Sequence, residues 1–383
     1  MKNIQSLIYL SGGNLPSQWA HSKQIAKMSL ALSKKIKKFE LITSGDVFSF
    51  ARGMDQFFMD WYSLNRKFKL VRLPVSVRSK RLYPKDYANS TYYKMALAYI
   101  SFKLPSLVYI RTNSFIEPLI RKQIPVLWEC HETIEDNSSI IQYFTDKNLI
   151  GLVTLSSETA NNYIRQGFPP EKILIIHSAV DLADFAPHQS KLEARKKLGL
   201  NTTSKIVVYS GHLYTFKGVS TILSTASSMP DVNFLLVGGW DEDVQRVREE
   251  CQSKGLTNVT LTGHVQQSKL VTYLYAADVL ILPTSRAWTL ADSTSPLKLF
   301  EYMAAKRAIV ASSLPNVSTL LKDGHNALLV EPDEYLAFNS AISRIFENLD
   351  LADRLSQNAF NDVRGYTWDT RTEKILEFIS SRL

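Results

Sequence analysis

A carboxylate inside an apolar run is the residue of this sequence that most clearly suggests chemistry. Glu301 lies within LFEYMA, residues 299–304, of the longer stretch STSPLKLFEYMAAKRAIVAS, residues 293–312. N-cap candidates at 293–295, and Pro296 in a first-turn position, predict a helix that ends near Lys306. Its apolar positions recur at helical spacing and are Leu297, Phe300, Ala304 and Ala308. Glu301 is therefore predicted to lie in a mostly buried helix, with the short strand AIVAS after it.

A buried carboxylate needs a hydrogen-bonding partner, because removing it from water without one is unfavourable. One interpretation is a salt bridge to Lys298, three residues earlier on the helix. The other is a polar ligand held by Glu301. The local pattern alone leaves both open, so the rest of the chain must decide.

The loop SGHLYTFKG, residues 210–218, is a second candidate. Gly211 gives backbone freedom at the end of a predicted strand, and Lys217 precedes Gly218 just before a predicted helix. A cation beside a helix N-terminus suits a phosphate group, since the N–H groups there point at the ligand. An ordinary connecting loop is the alternative.

Several familiar signatures are missing. The sequence has no G-x-x-x-x-G-K-[ST] loop, and SGGNLP at 11–16 does not match G-x-G-x-x-G, which removes the main support for an NTPase or a dehydrogenase. HETIE, which begins at His131, lacks the second His of H-E-x-x-H. The acids at 241–243 open a predicted helix, where they favour its dipole, so no metal site is predicted.

Short apolar runs alternate with helix-length segments along the whole chain. In the first half the predicted strands are 6–11, 38–44, 106–112, 125–132, 151–156 and 172–178. In the second half they are 205–211, 233–239, 259–265, 279–285, 308–313 and 326–332. Strands that are apolar throughout, separated by helices, indicate parallel sheets covered on both faces. Two such series, in a chain of 383 residues, predict an α/β protein with two Rossmann-like domains.

The domain boundary is predicted near VDLADFAPHQ, residues 180–189, where Pro187 ends an ordered stretch. The first domain then covers 1–185 and the second 186–365. Residues 366–383 form an amphipathic helix. Because ligands of open α/β sheets bind at the carboxyl ends of strands, the residues that follow strands are the most informative.

Composition limits the class of protein. Two cysteines, Cys130 and Cys251, imply neither a disulfide framework nor a Cys-rich metal site. The start, MKNIQSLIYLSGG, resembles a strand more than a signal peptide, and no run reaches the roughly 18 apolar residues of a membrane span. These features predict a soluble, cytoplasmic chain.

The net charge of +9 lies entirely in the first half: residues 1–185 carry 24 Lys and Arg against 15 Asp and Glu, and the remainder is balanced. Eight of these cations fall in NRKFKLVRLPVSVRSKRLYPK, residues 65–85, without an acid. Solvated helix faces and a basic loop are one explanation. Attraction to an anionic membrane surface or a phosphorylated acceptor is another. Nucleic acid is disfavoured because no binding motif accompanies the charge.

The order of these motifs resembles a known family. A Gly-rich loop after the first strand, a His after a mid-domain strand, G-H-L-x-x-x-K-G and P-x-K-x-x-E-Y-M-A together resemble the retaining GT4 glycosyltransferases, the glycosyl transferases group 1. The likeness covers nearly the whole chain and is strongest from about 173 to 334. It implies a GT-B fold, with two Rossmann-like domains whose parallel sheets face each other across a cleft. It also implies that residues 366–383 pack back on the first domain.

The resemblance assigns roles to the candidates. Glu301 looks like the second acid of the E-x7-E signature, which binds both ribose hydroxyls of a nucleotide. Lys217 looks like the diphosphate-binding lysine, and His212 stands where an Arg is usual, so its contact would depend on pH. His131 resembles the residue that approaches the donor sugar's 6-hydroxyl. The implied catalytic residues are His131, Lys217 and His212, and the implied substrate-binding residues are Gly12, Gly13, Gly211, Val265, Ser293, Thr294, Ser295, Pro296, Leu297 and Glu301.

One position departs from the family. The first acid of E-x7-E falls at 293, which is Ser293 here, and Asp292 is out of register. The sugar hydroxyl that this acid would bind is left to 293–295 and to backbone amides. The N-terminus of the helix at Thr294–Leu297, with Lys217 and His212, would stabilise the departing diphosphate without a metal.

The resemblance implies a retaining hexosyltransferase. The favoured donor is UDP-glucose or another UDP-hexose, and the acceptor a saccharide or lipid-linked saccharide in surface polysaccharide synthesis. It implies no cofactor or metal, no nucleic acid, and a cytoplasmic location at the inner face of the membrane, contacted through the basic first domain. The alternatives are a GDP-mannose-dependent mannosyltransferase, a non-catalytic nucleotide-sugar-binding protein, and an epimerase or phosphorylase of the same fold.

Overall fold

A computed structural model describes residues 4–45, 54–74, 91–135, 138–288 and 294–383. The chain forms two compact units. The first contains Met1–Ser178 and Trp368–Leu383, and the second contains Ala179–Thr367. The first unit is therefore assembled from both ends of the sequence.

The first unit is built on a seven-stranded sheet with the order β3-β2-β1-β4-β5-β6-β7, and its strand pairs are parallel. Its strands are β1 Ser6–Asn14, β2 Lys38–Gly45, β3 Lys69–Pro74, β4 Leu107–Ile110, β5 Val126–Glu129, β6 Leu149–Thr154 and β7 Ile173–Ile175. Its first helices are α1 Ala20–Lys35, α2 Met54–Trp61, α3 Thr91–Lys103, α4 Ile116–Arg121 and α5 Ser157–Arg165.

The second unit has a six-stranded sheet with the order β10-β9-β8-β11-β12-β13, again with parallel pairs. Its strands are β8 Lys205–Ser210, β9 Val232–Val237, β10 Val259–Gly263, β11 Val279–Leu282, β12 Ala308–Ser312 and β13 Leu328–Val330. Its helices are α6 Lys191–Leu198, α7 Val219–Ser228, α8 Asp241–Ser253, α9 Gln267–Ala276, α10 Leu297–Ala304, α11 Pro315–Ser318, α12 Tyr335–Glu347 and α13 Leu349–Val363.

The strands of the second sheet are apolar throughout because both faces of that sheet are covered. Along β8, Ile206 and Val208 belong to one apolar cluster, whereas Val207 and Tyr209 belong to the cluster on the other face. The alternation of side chains in a strand sends neighbours to opposite faces, and here both faces are buried. The prediction of two parallel-sheet, Rossmann-like domains is confirmed.

All twelve predicted strands are present, but β3 was missed. The interpretation of the basic run as solvated helix faces and a loop is wrong for Lys69–Pro74, which pairs in parallel with β2. In this strand Arg72 is 5% exposed, and its Nη1 donates to the carbonyl oxygen of Leu15 over 2.6 Å. A cation that donates to a backbone carbonyl can occupy a buried strand position. The positive charge of Arg72 therefore made the segment look like a solvated loop in the sequence.

The predicted strand AIVAS is confirmed as β12 Ala308–Ser312. Helix α10 stops at Ala304, shortly before the predicted end near Lys306, so Ala308 does not continue its apolar face. Between them Lys306 has a φ of 54°, a left-handed conformation that ends a helix. Among the described residues, no helix combines the length and apolar character needed to span a bilayer.

The last helix, α14 Trp368–Ser380, belongs to the first unit and packs against α1. At its exposed edge Lys35 pairs with Glu373 over 2.7 Å. In the interior, Arg371 Nη2 donates to Glu129 Oε1 over 2.9 Å, with side chains 2% and 0% exposed. A buried ion pair thus joins the final helix to the end of β5.

Arg371→Met should lower the free energy of unfolding by about 3–5 kcal/mol, because it leaves Glu129 charged and buried without its arginine partner. Urea unfolding followed by tryptophan fluorescence measures the change. The double variant Glu129→Gln/Arg371→Met should recover part of the loss. Lys35→Met, which breaks the exposed pair between α1 and the same final helix, is the matched control and should cost far less. Equal losses for Arg371→Met and Lys35→Met would contradict the assignment.

Candidate functional site

The loops after β8, β9 and β10 meet at the carboxyl edge of the second sheet, where ligands of α/β folds bind. The N–H of Gly211 donates to Val237 O over 2.8 Å, and that of Gly238 donates to Gly263 O over 2.9 Å. A Cβ at Gly238 would lie 2.7 Å from Gly211 O, so the two loops touch through backbone. The predicted binding residue Val265 follows this cluster and packs partly buried on the core.

Lys217 ends a short 3-10 turn, Thr215–Lys217, directly before α7. Gly218 joins the turn to the helix with a φ of 78°, and a Cβ there would lie 1.6 Å from Pro283 O. Only glycine fits this connection, which fixes Lys217 at the strand edge. Its Nζ lies 3.3 Å from the centroid of the Trp288 ring, and burial lowers the pKa of Lys217 to about 8.

His212 is held in a row of stacked rings. Its imidazole lies 5.1 Å from the Tyr214 ring and 5.4 Å from the Trp240 ring, with interplanar angles of 16° and 19°. Burial, and then the positive charge of Lys298, lower the pKa of His212 below its usual value. The imidazole is therefore uncharged at neutral pH, unlike the arginine that the family resemblance would place there.

Glu301 lies in α10 and is 6% exposed. Gln267 Nε2, at the start of α9, donates to Glu301 Oε1 over 3.3 Å. The neighbouring Tyr302 hydroxyl accepts from Ser210 N over 2.7 Å, which ties α10 to the end of β8. The acid is thus set rigidly at the same strand edge as the loop that carries Lys217.

The segment before α10 is anchored from outside the helix. Asn316 Nδ2 donates to Thr294 O over 2.6 Å, and Ser295 is 7% exposed. Pro296 is the N-cap residue, and the helix begins at Leu297. Ser293 lies outside the described residues.

Lys298 is a residue whose importance the sequence analysis missed, since it treated this lysine only as a salt-bridge partner for Glu301. Its Nζ lies 4.0 Å from the centroid of the Tyr209 ring. Burial, and then Lys217, lower the pKa of Lys298 well below its usual range. Its position three residues before Glu301 on a buried helix was the available signal.

In the first unit, Gly12 and Gly13 were predicted in a loop after the first strand, but they belong to β1 itself. The pairing register of β1 with β2 shifts between Leu10 and Asn14, so the glycines occupy an irregular end of the strand. Thr43 Oγ1 donates to Gly13 O over 2.7 Å and fixes this end.

His131 follows β5 and uses both ring nitrogens within the first unit. Its Nε2 lies 2.7 Å from Glu129 Oε1, and its Nδ1 lies 2.9 Å from Arg111 Nη2. A guanidinium can only donate, so Nδ1 accepts and Nε2 carries the proton that it donates to Glu129. Burial, and then the Arg111 charge, lower the pKa of His131 to about 4. The neutral ring offers neither a positive charge nor an unused lone pair.

Glu129 is the centre of this network. Gln24 Nε2 donates to it over 2.8 Å, and Tyr109 donates a short hydrogen bond. Burial alone would raise the pKa of Glu129, but Arg371 and Arg111 hold it well below the usual range. Among the described residues, no cluster of three or more His, Cys, Asp or Glu side chains could hold a metal ion.

His131 should stay neutral until the pH approaches about 4, because protonation would require a positive charge beside Arg111. A histidine whose pKa is lowered by folding binds its proton more readily in the unfolded chain, so it costs stability as the pH falls below about 6.5. Ring-nitrogen NMR of histidine-labelled protein measures the titration, with His131→Gln and His325→Gln assigning the buried signal and an exposed reference. A midpoint above 6 for His131 would contradict the tautomer and the network.

Comparisons with known proteins agree with this architecture. A family model described as glycosyl transferases group 1 matches residues 190–362. A D-inositol 3-phosphate glycosyltransferase of Nocardioides sp. is 23% identical over 227 residues, which are 54% of this chain and 48% of that relative. The chain therefore spans about half the length of the curated relatives that it matches.

Solved structures match almost the whole chain. The complex of Anabaena HepE with UDP-glucose has a TM-score of 0.74 at 15% identity and covers 98% of this chain and 99% of its own. The sucrose-phosphate synthase of Thermosynechococcus elongatus has a TM-score of 0.76 at 18% identity and covers 98% of both chains. Residues 190–362, which are less than half of the chain, are similar to the glycosyl transferases group 1 family, and the two units have the Rossmann-like architecture of the GT-B glycosyltransferases.

Proposed function

We propose that this protein is a retaining glycosyltransferase that moves a hexose from a UDP-sugar to a saccharide or lipid-linked saccharide acceptor. The main support is the pairing of a buried acid, Glu301, with a lysine at a helix N-terminus, Lys217, at one strand edge of the second unit. The acid suits a ribose diol and the amine suits a diphosphate. UDP-glucose is the favoured donor, since Anabaena HepE, which has a similar fold, binds UDP-glucose in its crystal structure. GDP-mannose is the alternative donor.

The chemistry exchanges one C1–O bond for another. The bond between the sugar C1 and the diphosphate oxygen breaks while the acceptor oxygen attacks C1 from the same face. The acceptor proton passes to the departing phosphate oxygen, so the products are UDP and the glycoside. Lys217 and the N–H groups that open α7 stabilise the negative charge on the leaving group. This assignment needs no metal, and His131, which is neutral and has both ring nitrogens bonded within the first unit, supplies no charge to the reaction.

Calorimetric titration with UDP, GDP, ADP and NAD, with and without EDTA, tests the nucleotide assignment. We expect UDP to bind most tightly and EDTA to leave its affinity unchanged. Tighter binding of GDP would favour the mannosyltransferase. If none of the diphosphates binds, the proposal fails. Release of UDP from UDP-glucose in the presence of acceptor glycans then separates an enzyme from a non-catalytic sugar-nucleotide-binding protein.

Glu301→Gln should weaken UDP and uridine binding alike, each by about 10-fold or more, because an ionised acceptor contributes roughly 1.5–3 kcal/mol in a hydrogen bond. 2′,3′-Dideoxy-UDP lacks the hydroxyls, so wild type and variant should bind it equally. Glu250→Gln, on the surface helix α8, is the control. A loss of UDP affinity that persists with the dideoxy analogue would assign Glu301 a structural role.

A membrane-side location for the acceptor is supported by a groove of about 700 Å³ in the first unit, at the amino ends of β1–β4. Its lining contains one acid, Glu40, which accepts from Lys69 over 2.9 Å and from the Tyr99 hydroxyl over 2.6 Å. The cations that line it are Lys37, Lys38, Arg66, Lys67, Lys69 and Lys103. Beside them Phe102 and Leu104 are 82% and 73% exposed. We propose that this face contacts an anionic bilayer at the cytoplasmic side. Arg78, Lys80 and Arg81 of the basic run lie outside the described residues.

Lys67→Gln/Lys103→Gln should weaken binding to vesicles of phosphatidylglycerol and phosphatidylcholine by about 30-fold, at roughly 1 kcal/mol for each lysine near the surface. Co-sedimentation measures this binding. Lys196→Gln/Lys197→Gln removes the same charge from the exposed helix α6 and should have little effect. Equal binding to pure phosphatidylcholine would refute an electrostatic contact.

A further inference from the structure

We propose that Lys298, instead of His212, supplies the second positive charge to the diphosphate of the donor, beside Lys217. The inference rests on the proposed function, because the ligand is the diphosphate of a sugar nucleotide. It concerns the lysine of P-x-K-x-x-E-Y-M-A, three residues before the ribose-binding acid, to which the resemblance assigned no role.

The amine of Lys298 reaches the glycine edge of the second sheet. Its Nζ lies over the Tyr209 ring at 4.0 Å from the centroid. A Cβ at Gly211, whose φ is 126°, would lie only 2.7 Å from that Nζ. The missing side chain at Gly211 therefore leaves the space in which the amine meets the loop after β8. Any larger residue would displace the charge.

Neither lysine of this edge forms an ion pair with the described residues, although Glu301 on the same helix attracts the Lys298 amine. Within the part of the chain that the structure describes, neither Lys217 nor Lys298 has a carboxylate within 4.0 Å, and neither amine donates to a protein oxygen. Both amines lie over aromatic faces instead, which favour a cation but do not cancel its charge. The two charges also repel each other, as the lowering of the pKa of Lys298 by Lys217 indicates. Partly buried like charges of this kind are relieved by a bound anion.

His212 cannot perform this role in the observed arrangement. Its ring stacks with the rings of Tyr214 and Trp240, and its own carbonyl oxygen accepts from the Tyr209 hydroxyl over 2.7 Å. The same tyrosine thus fixes the His212 backbone through its hydroxyl and supports Lys298 on its ring. The charge of Lys298 opposes protonation of His212. The Lys298 amine thus supplies the positive charge that the resemblance would place at position 212.

The helix α10 then contacts two parts of one ligand. Lys298 and Glu301 are one turn apart on the same helix, with the amine directed to the diphosphate and the acid to the ribose. Because Tyr302 ties this helix to Ser210, the separation of the two groups is fixed before the ligand arrives. A nucleoside diphosphate can bind both the Lys298 amine and the Glu301 carboxylate, whereas a nucleoside can bind only the carboxylate.

Calorimetric titration of Lys298→Met with UDP and with uridine tests the inference. UDP affinity should fall by about 10- to 100-fold, as expected for lost hydrogen bonds to a charged group, while uridine affinity stays within about twofold. Lys298→Arg should recover part of the UDP affinity, and His212→Asn should cost less than Lys298→Met. Lys306→Met, beyond the end of the same helix, is the charge-matched control and should leave UDP affinity unchanged.

The thermal midpoint distinguishes a binding role from a structural one. Removing a partly buried charge that forms no ion pair with the described residues should raise the Tm of the unliganded Lys298→Met protein while it weakens UDP binding. Unchanged UDP affinity, or equal losses for UDP and uridine, would overturn the inference and leave the proposed function intact. Failure of the wild-type protein to bind any nucleoside diphosphate would overturn both.

Discussion

Glu129 has no exposure to solvent at the carboxyl end of β5, and a carboxylate there is stable only because positive charge reaches it from elsewhere in the first unit. Arg371 provides that charge from the final helix, and Gln24 provides a further donor from α1. Together these contacts join a helix from each end of the sequence to the middle of the sheet. The same carboxylate orients His131, so the residue most suggestive of chemistry in this unit is positioned by a structural ion pair.

At the strand edge of the second unit, by contrast, the charges of two lysines are not paired with opposite charges among the described residues. Its lysines at the strand edge lie on aromatic rings without a carboxylate partner in the described structure, and Glu301 has an amide donor from Gln267. Groups arranged in this manner store unfavourable electrostatic energy that a complementary ligand can release. The first unit thus contains a closed network around one carboxylate, whereas the second leaves two lysines without an ion pair among the described residues.

Much of the fold could be predicted because apolar strands and intervening helices carry local signals. Such runs predicted twelve strands. They did not predict β3, because Arg72 is buried in that strand by donating to the carbonyl oxygen of Leu15, a contact that the local sequence does not reveal. The end of α10 depended on a left-handed Lys306, a backbone state that residue type alone does not reveal.

The residues of the candidate site could be predicted only where a single segment of the sequence contains the whole motif. Lys217 and Glu301 stand in recognisable local motifs, and the structure sets both at the strand edge that the pattern indicated. The lowered pKa of His212 depends on burial and on the positive charge of Lys298, and the position of the Lys298 amine depends on the Tyr209 ring, which is remote in sequence. Three-dimensional contacts between separate elements decide such electrostatic properties, so no inspection of one motif could supply them.

The order of the chain has a consequence for synthesis on the ribosome. Arg371 is 242 residues later than Glu129, and the whole of the second unit lies between them. Every contact within Ala179–Thr367 can form before α14 leaves the exit tunnel, whereas the carboxylate at the end of β5 must wait for its arginine. The nascent first unit therefore keeps an incomplete interior until α14 has been synthesised. The unit encoded later is the first that can reach its final structure.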